Sequence, residues 1–202
     1  MTIRIAVVDY GAGNLFNIEA ALAREGASVR RVAGPASFAR YDGIVLPGVG
    51  HFGPAARALR RRGNRVCDAI RNGIPVLGIC LGLQLLFERS EEGAAAGLGI
   101  LEGDVVMLPR RCKTPQMGWN TVRVARRSDL LRGIRDDSWF YFAHSYRVRP
   151  RRRSMVVGVC EYGIEFPAAM ESGNVFGTQF HPEKSAGCGA VVLRNFLERC
   201  RP

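Results

Sequence analysis

The sequence predicts an α/β fold: an open, mixed and mainly parallel sheet flanked by helices, with antiparallel strands contributed by the second half. Three observations predict it. Up to about residue 100, short apolar runs alternate with capped amphipathic stretches, the order from which parallel sheets are wound. Beyond that point short runs follow one another with little helix between them, and several alternate apolar and polar residues, as antiparallel strands with one wet face do. No linker, repeat or low-complexity stretch separates the two halves, so residues 1–202 read as a single domain.

Taken in order, Ile3–Asp9 is an apolar run suited to a strand buried on both faces. After the loop Tyr10–Asn14, Asn14 caps a helix whose Leu15, Ile18 and Leu22 share a face and which Gly26 stops. Val29–Val32 and Gly43–Leu46 are the next strands. Pro54 suits a first helical position, with Gly63 past that helix's end, and Asn64 opens another that closes at Gly73. Pro75–Ile79 is a fourth strand and leads into a helix over Leu81–Arg89. Later strands are expected at Val105–Leu108, Thr121–Val124, Phe140–Ala143, Tyr146–Val148, Met155–Cys160 and Val175–Phe180, with a closing amphipathic helix over Val191–Leu197.

Composition narrows the function classes. Lys and Arg number 29 against 18 Asp and Glu, a net charge of +11, and only Lys113 and Lys184 are lysines. The arginines are spread along the chain and are not interleaved with aromatics, so they read as a solvated surface and no nucleic-acid partner is expected. No apolar run reaches the roughly 18–20 residues of a membrane span. The opening segment meets Asp9 too soon for a signal peptide, so a cytoplasmic protein is expected. The six cysteines form no CxxC pair, and neither a metal nor another cofactor is expected.

One cysteine stands apart. Gly78-Ile79-Cys80-Leu81-Gly82 lies between an expected strand and an expected helix, the arrangement of a nucleophile elbow with sulfur in place of oxygen. A sharp strand-to-helix turn exposes the nucleophile, and the small flanking residues let neighbouring chain pass. The helix start favours a thiolate, and the Leu81 amide there points where an oxyanion forms. Phe180-His181-Pro182-Glu183 follows another expected strand. A thiolate needs an imidazole to take and return a proton, and the imidazole needs a carboxylate to orient it; Cys80, His181 and Glu183 supply that set. Leu46-Pro47-Gly48-Val49-Gly50 is a third loop at a strand end, where glycines on either side of Val49 let backbone amides approach a developing charge. Open α/β sheets place their sites at this carboxyl edge.

Together the elbow, the PGxG loop and the HPE segment resemble the class I (triad) glutamine amidotransferases. The resemblance narrows to the glutaminase subunits of imidazole glycerol phosphate synthase, of histidine biosynthesis. It rests on Asp9–Leu15, the blocks 46–55, 78–92 and 98–105, PQMGWN at 115–120, YFAHSY at 141–146 and GTQFHPEKS at 177–185, which run in order along almost the whole chain.

The resemblance implies that Cys80 attacks the side-chain carboxamide of glutamine to form a γ-glutamyl thioester. His181 is then the general acid and base and Glu183 its orienting group, while the amides of Leu81 and Val49 serve the oxyanion. Gln84 and the segment His144-Ser145-Tyr146 grip the amino-acid end of glutamine. Asn14, the 115–120 segment with Met117 and Trp119, and Lys184 face a separate (β/α)8-barrel cyclase subunit, the partner in a heterodimer, which receives the ammonia. Gln116 stands where the family commonly has His, and a tuned interface with retained activity is expected from it. The alternatives are the glutaminase of another amidotransferase, for anthranilate or pyridoxal phosphate synthesis, an RNA-binding protein that kept the fold, and an inactive scaffold.

Overall fold

A computed structural model describes residues 2–33, 37–61 and 65–201. The first half runs β1 (Arg4–Asp9), α1 (Leu15–Arg24), β2 (Ser28–Ala33), β3 (Gly43–Leu46), α2 (Phe52–Arg60), α3 (Arg65–Arg71), β4 (Val76–Ile79) and α4 (Leu81–Leu85). Next come β5 (Phe87–Ser90), β6 (Ala95–Ala96), β7 (Leu101–Met107), β8 (Gln116–Val124), β9 (Ser138–His144) and β10 (Tyr146–Pro150). The chain finishes with β11 (Val156–Glu161), β12 (Glu165–Ser172), β13 (Val175–Thr178) and α5 (Ala186–Arg199).

Among the described residues, nine strands form one sheet in the order β2-β1-β3-β4-β13-β12-β11-β8-β9. The pairs from β2 to β13 are parallel and those from β13 to β9 antiparallel, as the change of texture predicts. Successive side chains of a strand point to opposite faces. Ile5 and Val7 of β1 therefore join Ile18 and Leu22 of α1 and Phe196 of α5 in one core, while Ala6 and Val8 join Phe52 of α2, Val66 of α3 and Leu83 of α4 in the other. Among the described residues, no helix is long and apolar enough to cross a membrane.

The structure departs from the expected elements at five places. The helix expected over Leu81–Arg89 stops at Leu85, and Phe87–Ser90 is a strand parallel to β7. The segment 97–101 claims the carbonyls that would continue the helix: Leu98 N–H donates to Leu85 O at 2.8 Å, Ile100 N–H to Leu86 O at 2.9 Å and Gly97 N–H to Glu88 O at 2.9 Å. Burial of Phe87 and Ser90 thus overrides the helical propensity of this stretch. Together β10, β7, β5 and β6 form a second, four-stranded sheet where one mixed sheet is expected. Pro54 is the third residue of α2; Phe52 opens the helix, its N–H held by Glu92 Oε2 at 2.8 Å. Finally, β12 is a central strand containing Pro167, and α5 is longer at both ends than Val191–Leu197. The expected boundary signals Gly63 and Asn64 lie outside the described residues. Gly26 and Gly73 do follow α1 and α3 with positive φ, as helix stops require.

Candidate active site

Three parallel neighbours, β3, β4 and β13, end at Leu46, Ile79 and Thr178 along the same edge of the sheet, and the three loops that leave them build the site. Cys80 follows β4 directly and caps α4 with φ 52° and ψ −107°, a positive-φ conformation that costs a side-chain-bearing residue about 1–3 kcal/mol. The flanking glycines make the turn possible. A Cβ on Gly82 would collide with the Leu46 carbonyl oxygen, and one on Gly78 would lie 2.7 Å from Leu83 Cα. The strained turn is fixed by Cys80 N–H donating to Thr178 O at 2.7 Å and by Gln84 N–H donating to Cys80 O at 3.1 Å.

His181 is reached from β13 through Phe180, which stacks on Phe140 at 4.1 Å and meets Phe142 edge-on at 5.9 Å. Burying a ring this size is worth about 1.5–3 kcal/mol and pins the chain just before the imidazole. Tyr141 O accepts from His181 N–H at 2.9 Å, and His181 O accepts from Ser185 Oγ at 2.6 Å. A single tight turn over Pro182–Lys184 then brings the Glu183 carboxylate back, Oε1 lying 2.8 Å from His181 Nδ1. Both side chains are buried, at 1% and 6% exposure.

The Cys80 sulfur and the His181 ring interact. Burial pushes the imidazole pKa down, but the negative charge and hydrogen-bonding reach of Cys80, seconded by Glu183, outweigh it and raise the value to about 10. His181 Nε2 is buried without an aligned hydrogen bond to any described residue. Sulfur and ring are thus within reach but not aligned in this state, and catalytic contacts in a free enzyme commonly tighten when substrate binds.

Around the sulfur stand groups of a polar, buried chamber. Gln179 Nε2 lies 3.6 Å and Ala143 O 3.8 Å from Cys80 Sγ. Gln84 Nε2 donates to Tyr146 O at 2.9 Å and to Gln179 Oε1 at 3.2 Å. His144 Nδ1 donates to the same Tyr146 carbonyl at 2.8 Å, leaving the buried Nε2 without a partner among the described residues. Burial, together with His181 nearby, lowers the His144 pKa to about 4, so this imidazole is neutral. Ser145 enters through its backbone, its carbonyl accepting from Leu108 N–H at 2.9 Å. Gln84, His144 and Tyr146 are therefore gathered as the sequence predicts, and Gln179 and Ser185 are additions. The signal of Gln179 in the sequence is a polar residue just past an apolar strand end, and Ser185 is the residue that follows the Pro182–Lys184 turn.

The third loop leans on the elbow. A Cβ on Gly48 would lie 2.5 Å from Leu81 Cβ, and Tyr10 Oη donates to the carbonyl of Pro47. Val49 is half-exposed, and its carbonyl accepts from Gly13 N–H at 3.0 Å. Val49 and Leu81 thus belong to two loops in contact beside Cys80.

The profile of the family described as glutamine amidotransferase class-I matches residues 6–200. Imidazole glycerol phosphate synthase subunit HisH of Moorella thermoacetica is 48% identical over 200 residues, covering 98% of this chain and 95% of the relative. Subunit HisH of Methanosarcina mazei is 44% identical over 201 residues, covering 98% and 99%. The chain belongs to the HisH family of class-I glutamine amidotransferases. The fold extends further: PurLQS from Thermotoga maritima superposes with a TM-score of 0.80 at 22% identity, covering 100% of both chains. A glutamine amidotransferase from Thermotoga maritima superposes with a TM-score of 0.68 at 18% identity, covering 91% of this chain and 77% of that one.

In this HisH-family chain the residues expected to face a partner gather at the edge that carries the site. Asn14 caps α1, its Oδ1 accepting from Asn17 N–H at 3.3 Å, and the 182–184 turn packs against both α1 and β9. Lys184 Nζ sits 5.5 Å over the Tyr141 ring, which Trp119 meets edge-on at 6.2 Å. The β8–β9 register pairs Met117 with Ala143, Trp119 with Tyr141 and Thr121 with Trp139 on one sheet face. Met117, Trp119 and Trp139 are exposed there by 68%, 50% and 58%, an apolar patch that a free monomer has reason to cover. Trp139 is an addition to the residues read from sequence. Gln116 does not join this patch, contrary to expectation. It is the residue of β8 before Met117, so it points to the other face, where it is buried opposite His144 with Nε2 4.0 Å from Cys160 Sγ.

Proposed function

We propose that this chain is the glutaminase subunit of imidazole glycerol phosphate synthase, a single domain over residues 1–202 that works in the cytoplasm as a heterodimer with the cyclase subunit. The single observation that carries the chemistry is the buried Cys80–His181–Glu183 set at the carboxyl edge of the sheet, with Glu183 2.8 Å from Nδ1 and sulfur beside the ring.

The Cys80 thiolate attacks the side-chain carboxamide carbon of glutamine, and the oxygen takes the electron pair. The amides of Leu81 and Val49 receive that oxyanion. Collapse breaks the C–N bond, the His181 imidazolium gives its Nε2 proton to the leaving nitrogen, and ammonia departs from a γ-glutamyl thioester. Neutral His181 then takes a proton from water as its oxygen attacks the thioester carbon. The C–S bond breaks, glutamate leaves, and the thiolate–imidazolium pair is restored. Throughout, Glu183 accepts from Nδ1–H and keeps Nε2 directed at the sulfur. Gln84, with His144, Ser145 and Tyr146, holds the amino-acid end of glutamine. His144 serves as a neutral hydrogen-bonding group.

Released into water at neutral pH, ammonia becomes ammonium, which has no lone pair to attack with. A docked acceptor protein that takes it dry solves the problem, and the apolar patch around Trp119 and Trp139, with Asn14 and Lys184 alongside, supplies the docking face. The cyclase half of the reaction then yields imidazole glycerol phosphate and aminoimidazole carboxamide ribotide. The alternatives in anthranilate or pyridoxal phosphate synthesis are disfavoured, because the relatives just described carry the subunit HisH name over nearly their full length.

The test is reconstitution. Mixed with the cyclase partner and its acceptor substrate, this chain should release glutamate far faster than alone, with the oxyanion loop at Val49 as the gated element. Full turnover by the isolated chain, or activation only by an anthranilate or pyridoxal phosphate synthase partner, would overturn the proposal.

A further inference from the structure

Arginines that look scattered along the sequence converge at one place. Arg123 of β8, Arg147 and Arg149 of β10, and Arg126 and Arg153 in adjoining loops line a groove of about 380 Å³ where the large sheet meets the small one. None of the residues of the Cys80 chamber lines it. Glu165 is the carboxylate in the lining, and Arg123 engages it at 2.7 Å. Arg149 reaches Asp104 at 3.0 Å, a carboxylate already bonded by Arg89 at 2.6 Å. Arg126 and Arg153 form no ion pair with a described residue.

Arg147 gives the groove its character. Its Nε is shut off from solvent and has no hydrogen-bond partner among the described residues. Burial and neighbouring Arg149 both work against its charge, and Glu91 offsets them only in part. Native folds seldom leave a buried N–H without an acceptor, and the five arginines of the lining face one carboxylate, Glu165, among the residues that line the groove with them. Arginine forks match phosphate oxygens in pairs, which makes a phosphoanion the natural counterpart.

Size and walls narrow the ligand. The volume falls within the roughly 300–1,000 Å³ of small-molecule sites. Phe166, the aromatic ring in the lining, is buried at 1% exposure, so a nucleic-acid strand finds no stacking platform here. We propose that this groove binds the di- or triphosphate group of a small phosphorylated metabolite, at a site separate from the glutaminase chamber.

Titration calorimetry of the full chain with tripolyphosphate, in about 0.15 M salt where diffuse surface charge is screened, tests this. Saturable one-to-one binding is expected, with orthophosphate weaker. Arg126→Gln and Arg147→Gln should each weaken tripolyphosphate roughly tenfold or more, the loss expected of a charge-assisted bidentate contact. Arg135→Gln, which removes an equal charge outside the groove, should leave binding unchanged. If Arg147→Gln fails to fold by its melting curve, the exposed Arg126 and Arg153 carry the test. Absence of saturable binding would overturn the proposal. So would equal weakening by Arg135→Gln, which means diffuse charge. So would displacement of tripolyphosphate by a tighter, steeply salt-dependent single-stranded RNA, which means a nucleic-acid surface.

Discussion

Replacing Glu183 by Gln isolates the contribution of one charge to the proposed catalytic set. The shapes match, and the oxygen of the substituted side chain can still accept from Nδ1–H, so ring orientation survives and the carboxylate charge is what disappears. The lost charge belongs to a buried 2.8 Å pair at 1% and 6% exposure, where water cannot substitute. Hydrogen bonds to charged groups are worth about 1.5–3 kcal/mol and neutral ones about 0.5–1.5, a difference of about 1–1.5 kcal/mol. That difference falls on the reactive thiolate–imidazolium pair, in which His181 holds a full proton, so kcat/KM falls roughly 5- to 13-fold. The assay is glutamate release with the cyclase subunit present, which should show the loss in kcat with KM little changed. Titration of the His181 imidazole by nitrogen NMR supplies an independent readout. Its pKa should drop, because the Glu183 carboxylate is one of the groups that raise it. Unchanged turnover together with an unchanged titration would refute the role given to Glu183.

Three further outcomes are expected. Cys80→Ser should abolish glutamine hydrolysis while the melting temperature and cyclase binding are retained; appreciable residual turnover would count against the thioester route. Gly82→Ala should lose more than about 3 kcal/mol in urea unfolding, since its Cβ meets the rigid Leu46 carbonyl, whereas Gly73→Ala, at φ 85° with open space around it, should lose only about 1–2 kcal/mol. The third concerns acid. The fold keeps His144 neutral down to about 4, while the unfolded chain takes up its proton near the ordinary 6.5. The unfolded state therefore binds more protons between those values, and stability falls by about 3 kcal/mol as pH drops through that window. His144→Gln should flatten this slope in denaturant titrations at the two ends, and an unaltered slope would show that other groups carry it.

What is legible in the sequence is what local physics dictates. GxCxG encodes a strained turn because the two flanking glycines must clear Leu46 and Leu83, and that requirement is written in the residues themselves. The parallel half is legible because each strand is a short apolar run between helix caps and glycine stops. Expectation and structure part where distant segments decide. Phe87–Ser90 carries good helix formers, but the carbonyls it needs are taken by 97–101, a tertiary event invisible in a local window. Pro167 argues against a central strand, yet β12 accommodates it beside register shifts around Gly158. The triad is legible from residue chemistry, whereas Gln179 is not, since only the folded chain brings its amide between Cys80 and Gln84. Gln116 escapes a reading by neighbourhood because it shares a block with Met117 and Trp119 but not their parity, and alternation along β8 turns its side chain inward.

Acid quenching of the reconstituted complex during glutamine turnover, followed by peptide mass spectrometry of all six cysteines, tests the central claim most directly. The predicted result is a glutamyl group on Cys80 alone, whose amount follows the kinetics of glutamate release and which is absent in Cys80→Ser. Turnover with no adduct at Cys80, or an adduct on any of the other cysteines that follows those kinetics, would contradict it.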